Sequence, residues 1–130
     1  MILGIGIDII DNRRIKKTIL KYGKKFKERC FSKNEIKISK NSINQINFFS
    51  KRYAAKEALS KALGTGLNKG VFWKDIEVIN NLDGKPYIKL YNKALKKLNN
   101  LSKNNIKIEV SLSDEKNYSI ANVVIFTYEK

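Results

Sequence analysis

Residues 2–10 (ILGIGIDII) repeat with a period of two. The period predicts a strand with Ile2, Gly4, Gly6, Asp8 and Ile10 on one face and Leu3, Ile5, Ile7 and Ile9 on the other. Asp11 and Asn12 offer cap chemistry for a helix over 13–22. Ser32 followed by Glu35 forms a capping box and predicts a second, short helix over 32–38. The longest helix is expected over 43–63, ended by Gly64-Thr65-Gly66. Strands are expected over 75–80 and 86–90, joined by the turn at 81–84, and a helix over 92–101. Residues 106–113 and 118–128 alternate again and read as a hairpin turning at 114–117. This order, β-α-α-α-β-β-α-β-β, predicts an α+β fold in which an antiparallel sheet packs with a long central helix. No repeat or linker-like tract divides the chain and its one proline is Pro86, so residues 1–130 are expected to form one domain.

Two acidic residues break these patterns. On the 43–63 helix, Ile46, Phe49, Tyr53, Glu57, Ser60 and Gly64 fall along one line, and Phe48, Ala55, Leu59 and Ala62 cover the opposite side. A helix apolar nearly all round is expected to be buried on more than one face, yet Glu57 sits within its apolar stripe. Asp8 stands in a strand otherwise apolar on both faces, beside two glycines that leave room above it. A lone buried carboxylate costs several kcal/mol unless it is paired or bound to metal. Each residue also has a local reading: Asp8 as a helper of Asp11 in capping, and Glu57 as the i,i+4 partner of Lys61. Taken together, the two carboxylates suit one Mg²⁺ with positions left for water and a substrate phosphate. Lys61 and Arg52 extend from the same helix toward phosphate oxygens, and Gly64-Thr65-Gly66 offers backbone amides for close approach.

Composition narrows the chemistry. The chain has no histidine, which excludes Ser-His-Asp triads, Cys-His dyads and HExxH zinc sites. Carboxylates, lysines, hydroxyls, backbone amides and hard cations remain. Twenty-seven Lys and Arg against twelve Asp and Glu give a formal charge of +15, which attracts polyanions, although a Lys-, Asn- and Ile-rich composition produces the same excess. The single cysteine, Cys30, cannot form an internal disulfide, in keeping with a reducing cytoplasm. No apolar run is long enough to span a membrane.

Four segments then stand out: GIGIDII at 4–10, FFSKRYAAKEALSKALGTG at 48–66, DGKPYI at 83–88 and VSLSDEKNYSIANVVI at 110–125. In this order and spacing they resemble the holo-acyl-carrier-protein synthases, the short bacterial group of the 4′-phosphopantetheinyl transferase superfamily. The resemblance implies Mg²⁺-dependent transfer of 4′-phosphopantetheine from coenzyme A to a serine of an acidic acyl carrier protein, in support of fatty acid biosynthesis. It implies that Asp8 and Glu57 bind the metal and that Glu57 and Lys61 serve catalysis. Arg52, Lys61, Gly64, Gly66, Lys85, Pro86 and Ser113 would contact the coenzyme A. Asp114 follows Ser113 where many relatives carry histidine, which puts that histidine's contact to the 3′-phosphate in question for this chain. The resemblance further implies a cytoplasmic homotrimer with active sites between subunits, and a basic docking face that includes Arg14, Lys21, Lys25 and Arg29. The competing reading, a basic nucleic-acid-binding domain, requires a base-stacking aromatic platform. Phe49, Tyr53 and Phe126 occupy core-facing positions instead, and no RRM, KH or zinc signature occurs.

Overall fold

Glycines at positions 4 and 6 govern how the chain packs. The computed structural model describes residues 1–65 and 73–129. In it strand β1 (Ile2–Asp11) lies directly under helix α4 (Gln45–Ala62). A Cβ at Gly4 would stand 2.0 Å from the Ala62 carbonyl oxygen, and one at Gly6 1.8 Å from that of Ala58. The space expected above the strand is therefore filled by helix backbone. Small residues on both partners allow a separation that any side chain at position 6 would prevent.

β1 pairs antiparallel with β5 (Tyr118–Tyr128), which pairs in turn with β4 (Asn105–Asp114), giving the order β1-β5-β4. β2 (Ile76–Asn80) and β3 (Pro86–Leu90) make a separate antiparallel pair. The expected α+β class thus holds, with two sheets among the described residues. α4 is buried on several sides as expected: Phe48, Phe49, Ala54, Ala55, Ala58, Leu59 and Ala62 all enter the core with Phe31, Val78, Val123 and Ile125. α5 (Asn92–Asn99) lies between β3 and β4 in the chain.

Helices α1 (Asn12–Tyr22) and α3 (Lys33–Ser39) match the expected positions, and the Ser32–Glu35 capping box is present. One helix was not expected. α2 (Lys24–Cys30) follows Gly23, whose φ of +52° permits the sharp break from α1. Its inward residues, Phe26 and Cys30, are spaced one helical turn apart among charged neighbours, too sparse a pattern to announce a helix.

On its outer face β1 presents Ile5, Ile7 and Ile9, which are 61%, 56% and 62% exposed. The register sets Ile5 beside Val124 and Ile9 beside Ile120, so the apolar surface continues onto β5.

Candidate functional site

Seating α4 on β1 brings Glu57 and Lys61 to the strand residue that breaks the apolar pattern. The Lys61 ammonium donates to the Ile7 carbonyl oxygen at 3.0 Å and to Asp8 Oδ1 at 3.2 Å. Among the described residues, Lys61's ion pair is with Asp8 and not with Glu57 one turn earlier. The Asp8 side chain is largely covered while Lys61 remains more than half exposed. Burial raises the Glu57 pKa, the charge of Asp8 raises it further, and Lys61 and Arg14 oppose both effects. Two carboxylates in one electrostatic field, one already short of solvation, form a site that a hard divalent cation relieves. Among the described residues no group of three or more His, Cys, Asp and Glu gathers that could hold a metal ion, so a cation held by this pair would take its remaining ligands from elsewhere.

An aromatic wall borders the pair. The Tyr53 and Trp73 rings stack with centroids 4.5 Å apart at 30°, and Phe26 approaches Tyr53 at 6.2 Å. Burial raises the Tyr53 phenol pKa, with a further contribution from Glu57.

Other residues singled out from the sequence lie apart from this cluster. Arg52 and Lys61 are nine residues apart, about half a revolution of an α-helix, and so project from opposite sides of α4. Arg52 is buried, with its guanidinium 3.7 Å from the Phe48 ring centroid and Nη2 donating to Asn80 Oδ1 at 2.6 Å. Its Nε has no partner among the described residues, and burial pulls its pKa down to about 10. Asn80 Nδ2 continues to the Gly84 carbonyl oxygen at 2.8 Å, so Arg52 braces the turn that carries Lys85 and Pro86. Lys85 pairs with Glu109 on β4 at 3.1 Å.

Ser113 pairs with Ile120 on the outer side of the three-stranded sheet, in a shallow depression with Ile9, Asp114 and Tyr118. Asp114 accepts from Asn47 Nδ2 at 2.8 Å and lies 3.4 Å from the Lys51 ammonium. Gly64, with φ +78°, closes α4, and the Thr65 hydroxyl is buried without a partner among the described residues. Gly66 lies outside the described residues. Arg14 and Lys21 on α1 and Lys25 and Arg29 on α2 are all exposed. Lys25 and Arg29 flank a groove floored by Tyr22 and Phe26.

Sequence reasoning missed Lys56. It is completely buried, and its ammonium donates to Glu35 Oε1 at 2.6 Å, the Cys30 carbonyl oxygen at 2.8 Å and the Trp73 carbonyl oxygen at 3.1 Å. Burial lowers the lysine's pKa and Glu35 opposes the shift. Glu35 also accepts from Ser32 N–H and Val78 N–H. The signal was present: Lys56 lies seven residues after Phe49, on the same line of the helix.

Comparison with known proteins is consistent across sequence and structure. Residues 4–123 match the family model of the 4′-phosphopantetheinyl transferase superfamily. The chain is 48% identical over 130 residues to a holo-[acyl-carrier-protein] synthase of Ehrlichia chaffeensis, covering 98% of both proteins. The crystal structure of the holo-[acyl-carrier-protein] synthase of Neisseria meningitidis is similar with a TM-score of 0.86 at 34% identity, covering 98% of this chain and 100% of that one. A holo-(acyl-carrier-protein) synthase of Bacillus anthracis, solved in complex with CoA (3′,5′-ADP), gives 0.81 at 37% identity, with coverage of 98% and 99%.

Proposed function

The chain belongs to the holo-[acyl-carrier-protein] synthases of the 4′-phosphopantetheinyl transferase superfamily, and we propose that it transfers 4′-phosphopantetheine from coenzyme A to a serine of apo-acyl carrier protein. The observation that carries this reading is the meeting of Asp8, Glu57 and Lys61 where α4 crosses β1. In the transfer the serine oxygen forms a bond to the phosphorus bearing pantetheine. The bond from that phosphorus to 3′,5′-ADP breaks, and the hydroxyl proton is released. Asp8 and Glu57 are the residues to hold Mg²⁺, which when bound offsets negative charge on the pyrophosphate. Lys61, whose ammonium already touches an aspartate oxygen, supplies a movable point charge for a phosphate oxygen. Glu57 and Lys61 are the catalytic residues of this reading.

Coenzyme A contacts are assigned to Arg52, Gly64, Gly66, Lys85, Pro86 and Ser113 by family resemblance. Ser113 lies with Ile9 and Ile120 on the outer side of the sheet, away from the α4 side that carries Asp8 and Glu57, which suits a homotrimer whose active sites lie between subunits. The exposed stripe Ile5, Ile7 and Ile9, continued by Ile120 and Val124, gives such an assembly its apolar contact. The basic faces of α1 and α2 suit an acidic carrier protein in the cytoplasm, supplying fatty acid biosynthesis. The similar proteins described above give no support to a nucleic-acid-binding role.

Mass spectrometry of several bacterial apo-carriers incubated with this protein, coenzyme A and Mg²⁺ tests the proposal. The carrier should gain one phosphopantetheine, and EDTA should stop the gain. Carrier masses that stay unchanged refute the assignment.

A further inference from the structure

Lys56 follows Glu35 by twenty-one residues and precedes Trp73 by seventeen, yet one buried ammonium joins them. Its three donors are all used, on an α2 carbonyl, an α3 carboxylate and the carbonyl of Trp73. Glu35 carries the connection onward to the Ser32 and Val78 amides, and Ser32 Oγ donates to Glu77 Oε2 at 2.5 Å. Tyr91 completes the network by donating to Glu77 Oε1 at 3.0 Å. Four stretches of chain, at 30–35, 56, 73–78 and 91, thus share one buried polar hub. A buried ion pair is weak support for stability, because desolvation consumes most of its Coulombic gain, so the hub's position is more informative than its strength.

That position is directly behind the site. Trp73 is held by its carbonyl to Lys56 and lays its ring on Tyr53 at 4.5 Å. Tyr53 precedes Glu57 by one turn on the same side of α4, so the stacked pair borders the carboxylate. No other described contact of α4 ties Trp73 down by a charge-assisted bond.

We propose that Lys56 is a positioning residue, whose buried ammonium fixes Trp73 against Tyr53 and thereby sets the wall beside Asp8 and Glu57. The proposal rests on the transferase reading for its kinetic consequence alone; the placement of Trp73 is independent of that reading. Lys56 touches neither the substrate nor the reacting atoms in this account. It acts through the tryptophan.

Trp73 is the chain's single tryptophan, so its fluorescence reports the clamp directly. Lys56→Met alone would strand the Glu35 charge in the core, and the informative variant is therefore Lys56→Met combined with Glu35→Gln. Measured well below its melting temperature, this double variant should show Trp73 emission moved to longer wavelength and more easily quenched by acrylamide. Its kcat should fall about tenfold while KM for coenzyme A changes by less than about threefold. Tyr53→Leu removes the surface on which Trp73 rests without touching the buried pair, and it should reproduce both effects even where the double variant does not fold. Native emission and quenching in a folded variant overturn the clamp. Altered emission with kcat within about twofold of the parent overturns its role in the reaction. A parent protein that modifies no carrier refutes the transferase reading instead, and the emission data then decide the clamp alone.

Discussion

Replacing Gly6 by alanine adds one methyl group at the point where α4 rests on β1. That carbon would lie 1.8 Å from the Ala58 carbonyl oxygen, 2.8 Å from the Ala58 carbonyl carbon and 2.9 Å from the Ala62 amide nitrogen. Every one of these atoms is backbone, so no rotamer change relieves the overlap. Cβ atoms essentially never come within 3.0 Å of such neighbours, so helix and strand must part by about 1.2 Å or more. The Lys61–Asp8 contact, 3.2 Å in the parent, must then lengthen or be remade with Lys61 in another conformation, and Asp8 and Glu57 move relative to each other. Overpacking of this kind costs about 1–3 kcal/mol, which lowers Tm by roughly 3–12 °C in a chain of this size. The catalytic loss should exceed the stability loss, because a misplacement of about 1 Å at reacting groups reduces turnover by up to about a hundredfold. Differential scanning calorimetry and carrier modification measured at 15 °C separate the two effects, since the variant is still folded there. Gly23→Ala serves as the comparison: it forces alanine into a positive φ of 52° with its nearest foreign atom 3.8 Å away, away from the Asp8 cluster. It should lose stability with little loss of turnover at saturating carrier. Gly6→Ala with parental Tm and turnover would refute the close seating of α4 on β1.

Three further outcomes follow from the same geometry. Glu57→Gln should abolish turnover yet melt higher than the metal-free parent, because it removes a carboxylate that burial and Asp8 both disfavour. Since the folded pKa of Glu57 lies above its ordinary value of 4.5, its ionisation weakens the fold as pH rises through the window between those two values. The melting difference between variant and parent should accordingly grow with pH across that window and then level off; a difference independent of pH, or near-normal turnover, contradicts the site. Ile7→Glu places charge in the centre of the exposed β1 stripe and should convert the proposed trimer to monomers by sedimentation velocity with loss of turnover, whereas a parent that sediments as a monomer at micromolar concentration refutes the trimer. Lys25→Glu with Arg29→Glu should weaken carrier binding, most at low salt, and leave coenzyme A affinity nearly unchanged; equal losses of both would dissociate this face from docking.

The local periods of the chain contained most of its elements, since strand alternation, the Ser32–Glu35 box and the positive-φ Gly64 are decided within a few residues. Asp8 and Glu57 were legible for a related reason: each is a charged exception to an apolar pattern that is itself local. α2 was not, because Phe26 and Cys30 are its only apolar residues, and contacts to α4 such as Phe26 with Tyr53 and the Cys30 carbonyl with Lys56 supply the rest of its stability. The remaining decisions needed the third dimension. Missing side chains at Gly4 and Gly6 announce a void, but whether a ligand or a helix fills it depends on where α4 lands. Lys61 had a possible partner one turn away in Glu57 and took Asp8 across the strand, fifty-three residues distant. Glu35 is the cap that its spacing from Ser32 predicts and is in addition the buried counter-ion of Lys56, since a lysine can enter the core only where a carboxylate and free carbonyls from other segments converge on it. Local propensity determines which residues are unusual; only packing determines which of them meet.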